Sequence, residues 1–216
     1  MMIEQVPKIL LVEGIDDKKV IEKLFQRRKI VFEDFAVHNC EGLEKLLKIL
    51  PTQIMAGSYD VMGVIADADE DADQRWRTLR NILTGAGYEN VPGVPDAGGV
   101  ILEDPDEELP KIGVWLMPDN RIDGAVEDFI RLLIPEGDAL LPIAEKKVEN
   151  LIAGKLNRFS VSHRSKALIH TWLAWQERPG KQLGSAITYR FVRTQAYLLD
   201  DGRAGCFVRW LKELFR

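Results

Sequence analysis

The chain has 216 residues, of which 46% are hydrophobic and 29% are charged, and its formal net charge at pH 7 is −5. This composition predicts an ordinary globular protein with one full-sized core. No apolar run approaches the roughly 18 residues of a membrane span, and no charged-then-apolar leader begins the sequence, so we expect a cytoplasmic protein that makes no membrane contact.

The first part of the chain predicts strands that alternate with helices. Apolar runs predict strands at KILLVEG, FEDFAVHNCEG and VMGVIAD, and apolar residues at helical spacing predict helices at DDKKVIEKLFQRR, LEKLLKILPTQIM and DADQRWRTLRNILTGAG. Asp16 and Asp17 are expected to form the N-cap pair of the first helix. Gly85 or Gly87 is expected to end the third. This alternation predicts an α/β fold with a mostly parallel sheet flanked by helices.

Beyond Gly87 the pattern changes. Pro and Gly punctuate two further apolar runs, GVILED and KIGVWLMP, which predict strands joined by an acidic loop. The stretch DGAVEDFIRLLIP predicts a helix with Asp123 as its N-cap. From about Ala139 the sequence is typical of helices, with SKALIHTWLAWQERPG ended by its Pro-Gly pair and GCFVRWLKELF closing the chain. We therefore expect an α/β domain over residues 1–138 and a basic helical extension over residues 139–216 packed on it.

The charges are distributed unevenly along the chain. Residues 1–150 contain 17 Lys and Arg against 30 Asp and Glu, whereas residues 151–216 contain 12 against 4. A basic segment of this kind either contacts a polyanion or folds onto the acidic part of its own chain. The charge pattern leaves both readings open.

The cysteines predict no covalent framework. Cys40 and Cys206 are far apart and lie outside any C-x-x-C pattern. Neither a disulfide framework nor a thiolate zinc site is expected, and both residues are interpreted as small apolar side chains.

An acidic cluster follows the third predicted strand. Five carboxylates occur within residues 67–73, and Glu13 follows the first strand. Because functional groups gather at the carboxyl ends of strands in open α/β sheets, we expect Glu13, Asp67 and Asp69 to converge. Residues two apart on an extended strand point the same way, so Asp67 and Asp69 should share a direction. Such carboxylates cannot all stay ionised unless a cation lies among them or some take up protons.

The type of ligand indicates which cation this site would hold. Hard oxygen ligands without His or Cys favour Mg²⁺ or Mn²⁺ over zinc. A dedicated calcium loop is disfavoured, because Ala72 stands where the calcium-loop pattern requires Gly.

These residues carry a family resemblance. LLVEGIDD, followed about fifty residues later by VIADADED, resembles the Toprim domain shared by topoisomerases, bacterial primases, the small ribonuclease that matures 5S rRNA and the OLD-type nucleases. The matching residues are Glu13 after the first strand and Asp67 with Asp69 after the third. GVWLMPDNRIDGAVEDFI resembles a small, uncharacterised Toprim-like family related to the OLD-type nucleases. The resemblance covers residues 8–134 well and the remainder loosely, without a G-x-x-x-x-G-K-[ST] motif or a primase zinc ribbon, which is typical of a stand-alone Toprim unit.

The resemblance implies roles for individual residues. It implies a compact Rossmann-like fold with Glu13 in general acid–base work and with Asp67 and Asp69 holding a divalent metal ion. In OLD-type enzymes further acids complete a second metal site, and here Glu127 and Asp119 are the candidates.

The other acids of the cluster have two interpretations. Asp71 is a further candidate metal ligand. Alternatively, Glu70, Asp71 and Asp73 cap and charge-match the first turn of the helix that follows.

The basic extension supplies candidate phosphate contacts. His163, Arg164 and Lys166 lie just before or within the first turn of a predicted helix. Lys166 could point at a scissile phosphate and stabilise its developing charge, and all three could bind nucleic acid. They could equally be a solvated helix start. Trp172 and Trp175 are expected in the core rather than in a base-stacking platform.

These observations together predict divalent-metal-dependent phosphodiester chemistry on DNA or RNA, with a nuclease as the specific expectation. Two Mg²⁺ or Mn²⁺ ions would take part, one activating water and the other stabilising the leaving oxygen, while Glu13 moves a proton.

Two alternatives stay open. One is a non-catalytic metal-binding Toprim module that serves a partner protein. The other is a receiver-like phosphoacceptor domain, although a receiver needs a Lys at the end of its fifth strand, where this chain has MPDN. The sequence also leaves open whether the chain acts alone, as a homodimer or with a partner.

Overall fold

The computed structural model describes residues 6–186 and 203–216. Five strands form one sheet: β1 (Lys8–Val12), β2 (Phe35–Asn39), β3 (Val61–Asp67), β4 (Val100–Leu102) and β5 (Lys111–Met117). Their order across the sheet is β2-β1-β3-β5-β4. Three of the pairings are parallel, and β4 pairs with β5 in the antiparallel direction. The predicted α/β fold with a mostly parallel sheet is therefore confirmed.

Helices connect and cover the strands. They are α1 (Ile15–Arg28), α2 (Leu43–Met55), α3 (Ala72–Gly85), α4 (Val126–Leu133), α5 (Leu141–Ala153), α6 (Arg164–Ala174), α7 (Leu183–Ala186) and α8 (Arg203–Leu214), with a 3-10 turn at Val161–His163. The apolar stripe predicted for α3, Trp76 with Leu79 and Leu83, is buried. Across the described residues, no helix is both long enough and apolar enough to span a membrane.

The starts of two helices differ from the prediction. Gly14 is the N-cap of α1, so Asp16 and Asp17 lie within its first turn. Ala125 is the N-cap of α4, because the Asp128 carboxylate accepts the Ala125 N–H at 3.0 Å. The expected cap, Asp123, instead accepts a hydrogen bond from the first residue of α3, Ala72 N, at 2.8 Å.

The end of α6 also lies earlier than predicted. The helix ends at Ala174, before the Pro-Gly pair at 179–180. The N–H groups of Trp175 and Gln176 bond to the carbonyls of Trp172 and Leu173, both at 3.2 Å, which tightens the last turn and closes the helix. Part of the predicted helical extension, residues 187–202, lies outside the described residues.

The sheet has a separate apolar core on each face. Leu10 and Val12 of β1 face one core, while Ile9 and Leu11 face the other, as the two-residue period of a strand requires. Helices α2 and α3 cover the second face. Helices α1, α4, α5, α6 and α8 cover the first, so the segment beyond residue 139 completes a core that begins with β1.

Two glycines let the closing helix approach the centre of the sheet. Gly63 of β3 and Gly113 of β5 are paired in register. A Cβ at Gly113 would lie 2.6 Å from Leu214 Cδ2, and one at Gly63 would lie 2.9 Å from Phe215 Cζ. Both distances are far below van der Waals contact, so the absence of side chains at Gly63 and Gly113 leaves the space into which α8 and Phe215 pack. Trp210 Nε1 anchors the helix there by donating to the Val100 carbonyl at 3.1 Å.

The two cysteines are free thiols. Cys40 is buried in the core and Cys206 is partly buried. Burial, reinforced by the negative charge of Glu13, raises the pKa of the Cys40 thiol to about 12. Cys40 therefore stays a neutral thiol at ordinary pH and packs as an apolar side chain.

Candidate active site

An acidic cleft of about 720 Å³ opens at the carboxyl end of the parallel strands. It lies between the start of α1, the end of β3, the start of α4 and the segment 161–166. The acids that line it are Glu13, Asp16, Asp17, Asp67, Asp69, Glu70, Asp123, Glu127 and Asp128. His163, Arg164 and Lys166 line the same cleft. The sequence thus predicted the location of the cleft and four of its acids, which are Glu13, Asp67, Asp69 and Glu127.

Backbone donors hold Glu13 and Asp67 in place. Glu13 Oε2 accepts a hydrogen bond from Asp67 N at 3.2 Å. Asp67 Oδ1 in turn accepts from Val126 N, at the start of α4, at 3.1 Å. These two bonds connect the ends of β1 and β3 to a helix N-terminus, which places both carboxylates at the floor of one cleft.

Asp17 is a site residue that the sequence analysis did not predict. Its side chain is 4% exposed. Oδ2 accepts from Gly14 N at 2.9 Å, but the buried Oδ1 has no hydrogen-bond partner. The signal that could have found it is the four-residue spacing from Glu13, which spans the start of a helix and so can bring both carboxylates to one side.

Burial and mutual repulsion raise the pKa values of three acids. Burial, reinforced by the charges of Glu13 and Glu127, raises the pKa of Asp17 to about 7. Burial also raises the pKa of Asp67 well above its ordinary value, with Asp17 and Glu13 adding to the effect. The pKa of Glu13 is raised chiefly by burial. Such a cluster is stabilised by taking up either protons or a cation.

Asp69 reaches the cleft from a turn rather than from the strand. Strand β3 ends at Asp67, and Asp69 has a left-handed φ of 55°. The alternation expected of a strand therefore does not extend to Asp69. Its N–H donates to Gly124 O at 2.8 Å and its carbonyl accepts from Gly124 N at 2.7 Å. This paired contact ties the loop after β3 to the loop before α4.

An arginine binds both members of the Asp-x-Asp pair. Arg75 Nη2 lies 2.6 Å from Asp69 Oδ2, and Arg75 Nε donates to the Asp67 carbonyl at 2.8 Å. The Arg75 side chain is 15% exposed, whereas that of Asp69 is 50% exposed. No sequence signal indicated this role, since Arg75 reads as one of several arginines on α3.

The C-terminal segment completes the cleft through two contacts. Glu127, in the first turn of α4, is 5% exposed. Its Oε1 lies 3.8 Å from Lys166 Nζ. The neighbouring Asp128 accepts from Ser165 Oγ at 2.7 Å. Helix α6 is therefore fixed against α4, with Lys166 directed at the acids.

The other predicted phosphate contacts are held by their own neighbours. Arg164 Nε donates to Glu149 Oε1 at 2.6 Å. His163 Nδ1 lies 3.1 Å from Ser160 Oγ. Both side chains line the cleft, but the charge of Arg164 is already matched by Glu149.

The two tryptophans of α6 differ. Trp172 is fully buried and donates to Asp138 Oδ1 at 3.0 Å, which confirms its place in the core. The same expectation for Trp175 was wrong, since it is 39% exposed just beyond the last turn of the helix.

Two predicted metal ligands do not lie among the described residues that line the cleft. Asp71 is the N-cap of α3, and its Oδ1 accepts from Gln74 N at 2.7 Å. Asp119 is buried in the loop after β5, where its Oδ1 accepts from the backbone N–H groups of Arg121 and Ile122. Each carboxylate accepts hydrogen bonds from the backbone of its own loop or helix start, and neither residue lines the cleft.

The cleft acids have suitable chemistry for a divalent ion but are held apart. Within residues 6–186 and 203–216, no three His, Cys, Asp or Glu side chains form a ready-made metal-binding group. Protein donors engage Glu13, Asp67 and Asp69 one by one, while Asp17 Oδ1 has none. An all-oxygen donor set suits Mg²⁺ or Mn²⁺. Ion binding would draw the carboxylates toward a common centre.

The fold and the cleft together define an α/β protein with an acidic site at the carboxyl end of a mostly parallel sheet. A family model described as "Protein of unknown function (DUF3226)" matches residues 7–216, and the chain belongs to this family. No curated protein and no solved structure matches the chain significantly.

Proposed function

We propose that the acidic cleft catalyses divalent-metal-dependent cleavage of phosphodiester bonds in nucleic acid, and that the fold is of the Toprim type. One observation carries the proposal. Glu13, Asp17, Asp67 and Glu127 line one cleft at the carboxyl end of the sheet, and one buried oxygen, Asp17 Oδ1, has no hydrogen-bond partner. A divalent cation at this point would offset the repulsion that raises their pKa values.

The acids would share the work of binding and proton transfer. Asp17, Asp67 and Glu127 would hold Mg²⁺ or Mn²⁺, which would supply positive charge to the phosphate and lower the pKa of the attacking water. Glu13 lies beside them with a raised pKa. A carboxyl group whose pKa moves toward the working pH is better suited to exchange a proton during the reaction.

Lys166 and its neighbours would contact the substrate backbone. The Lys166 side chain is half exposed and faces the cleft at Glu127. An ammonium group in this position would stabilise negative charge that develops on a phosphate. Arg164 and His163 line the same side, where contacts to phosphate and sugar would position DNA or RNA without reading its sequence.

A cleavage assay tests the proposal. The unmodified protein is incubated with circular and single-stranded DNA and with RNA, in Mg²⁺, in Mn²⁺ and with chelator. Cleavage is expected only with a divalent ion. Glu13→Gln should lower the rate by about 10²-fold or more, the usual contribution of general acid–base catalysis, with an unchanged circular dichroism spectrum.

Asp73→Asn is the matched control for this assay. Asp73 is an exposed acid in the first turn of α3 and does not line the cleft. Its removal changes the net charge equally and should leave cleavage intact. Full activity in Glu13→Gln would refute the site assignment.

A second candidate function is metal binding without catalysis. The Asp67 N–H donates to Glu13 Oε2 at 3.2 Å, and this bond engages one oxygen of the carboxylate that would otherwise move a proton. A module that binds an ion for a partner protein needs no proton transfer. Mn²⁺ binding by the unmodified protein, together with no cleavage of any of the substrates, would identify this function.

A further inference from the structure

Arg75 lies beside Asp69, one of the two aspartates that the sequence analysis expected to bind a divalent ion. Its guanidinium contacts Asp69 Oδ2 at 2.6 Å and the Asp67 carbonyl at 2.8 Å. The two contacts involve different nitrogens, Nη2 and Nε, so the planar group is fixed at two points. A fixed guanidinium loses little further freedom when it pairs with a carboxylate.

The other acids have a different charge environment. Glu13, Asp17 and Asp67 repel one another, and this repulsion contributes to the raised pKa of Asp17 and Asp67. Among the described residues, the ion pair on their side of the cleft is the longer contact between Lys166 and Glu127, at 3.8 Å. Burial raises the pKa of Glu13 but the charge of Arg75 lowers it, so the uncompensated negative charge is concentrated at Asp17 and Asp67.

We infer that Arg75 is a built-in cation that replaces one of two divalent ions, so that the cleft binds a single ion beside Glu13, Asp17, Asp67 and Glu127. This inference rests on the proposed function and specifies the number of ions. Asp69 then serves to hold Arg75, not to bind metal. The guanidinium supplies one positive charge where an ion would supply two, and its N–H groups can donate to phosphate oxygens as well as to carboxylates.

The number of bound ions tests the inference directly. Mn²⁺ is titrated into the protein, and the loss of the free-ion signal in electron paramagnetic resonance counts the ions bound. The unmodified protein should bind one ion. Arg75→Gln keeps a hydrogen-bonding side chain but removes the charge, and it should bind two. Arg75→Lys keeps the charge and should again bind one.

Arg77→Gln is the matched control. Arg77 is an exposed residue of the same helix, two positions further on and therefore on the other side of it. The substitution removes the same charge, and the protein should bind one ion. Two ions on this control would mean that net charge sets the count, which would overturn the inference.

Asp69→Asn provides a second test, which does not depend on the folding of Arg75→Gln. If Asp69 holds Arg75 and no metal, this variant still binds one ion with an affinity within about threefold of the unmodified protein. A loss of tenfold or more would make Asp69 a metal ligand and overturn the inference.

The remaining outcomes separate the inference from the function. Two ions on the unmodified protein, or one ion on a folded Arg75→Gln, would overturn the role of Arg75 while the metal-dependent function stands. No Mn²⁺ bound by either protein would overturn the proposed function itself.

Discussion

The Lys166 ammonium lies 3.8 Å from the Glu127 carboxylate. This contact brings the basic C-terminal segment into the acidic cleft, because Glu127 lies in the first turn of α4 and Lys166 lies in the first turn of α6. The charge asymmetry had two interpretations, contact with a polyanion and packing of the basic segment on the acidic part of the chain, and both involve this cleft. The extension packs on the acidic part of the chain, and its half-exposed Lys166 ammonium still faces the cleft.

Lys166→Ala should weaken nucleic-acid binding and its dependence on salt. Each lost phosphate contact lowers the slope of log affinity against log salt by about one unit. Arg164→Ala should change the slope less, since Glu149 already pairs with Arg164. Fluorescence anisotropy of a labelled oligonucleotide at several salt concentrations measures both slopes. Lys147→Ala, at an exposed position of α5, is the control. Equal slopes in all four proteins would make Lys166 a solvated helix residue.

Asp17→Asn should stabilise the ion-free protein, and the gain should grow with pH. Folding raises the pKa of Asp17 from 3.8 to about 7, so the folded state holds its proton more tightly than the unfolded state. The corresponding stability is fully present below the unfolded pKa and is lost as pH rises through about 7. At pH 8 the variant should gain about 2–4 kcal/mol, whereas at pH 5 the gain should be clearly smaller.

Thermal melting in chelator between pH 5 and 8 measures this effect. Asp73→Asn is the control, because Asp73 is also an acid in the first turn of a helix but is exposed. Its effect should not vary in this way. A pH-independent gain for Asp17→Asn would show that its carboxyl group carries no raised pKa.

Asp67→Asn and Asp69→Asn should shift stability in opposite directions when chelator is present. Asp67 is repelled by Asp17, Glu13 and Glu127. Two carboxylates about 5 Å apart repel by roughly 3 kcal/mol at an effective dielectric near 20. Asn at position 67 removes this repulsion and still accepts the Val126 N–H. Asn at position 69 removes the ion pair with Arg75, which should cost about 0.2–1 kcal/mol.

Melting temperatures with chelator and with Mn²⁺ check this prediction. A change of 1 kcal/mol corresponds to about 2–4 °C for a chain of this size. Mn²⁺ should stabilise the unmodified protein by mass action and Asp67→Asn much less. The same Mn²⁺ response in both proteins would show that Asp67 takes no part in ion binding.

Gly113→Ala should destabilise the protein by about 1–3 kcal/mol, the usual cost of overpacking a core. The new methyl group would meet Leu214 Cδ2 at 2.6 Å and Trp210 Cζ2 at 3.0 Å. Urea denaturation measures the loss. Gly85→Ala, near the end of α3, has nothing within 4 Å and should be neutral or slightly stabilising. A neutral Gly113→Ala would mean that α8 moves away at little cost.

The sequence predicted the elements well because their signals are local. Residues 43–55 and 61–67 carry their helix and strand patterns entirely within themselves, and the structure gives the same bounds. The convergence of Glu13 with Asp67 also followed, because parallel strands bring their carboxyl ends to one edge.

What the sequence did not predict depends on contacts between distant segments. Asp123 looks like a cap for the helix after it, but its carboxylate accepts the N–H of Ala72, the first residue of α3, which lies beside it in space. Asp71 and Asp119 lie close in sequence to the cleft acids, but each carboxylate accepts hydrogen bonds from backbone N–H groups two or three residues further along the chain. Arg75 contacts Asp69 after a turn in which Asp69 has a left-handed backbone conformation, and the types of residue in this stretch do not predict that turn.

The core around Gly63 and Gly113 is completed by residues near the end of the sequence, so it forms late during synthesis. Trp210 donates to the Val100 carbonyl across 110 positions of sequence, and Lys8 Nζ donates to the Phe215 carbonyl across 207. At about 5–20 residues per second, roughly 5–20 s separate the synthesis of Val100 from that of Trp210. Once β5 has paired with β3, the apolar surface around Gly63 and Gly113 stays uncovered until α8 has been synthesised. Contacts of such long sequence separation form late and slowly, so this chain completes its central core only after residues 203–214 have emerged.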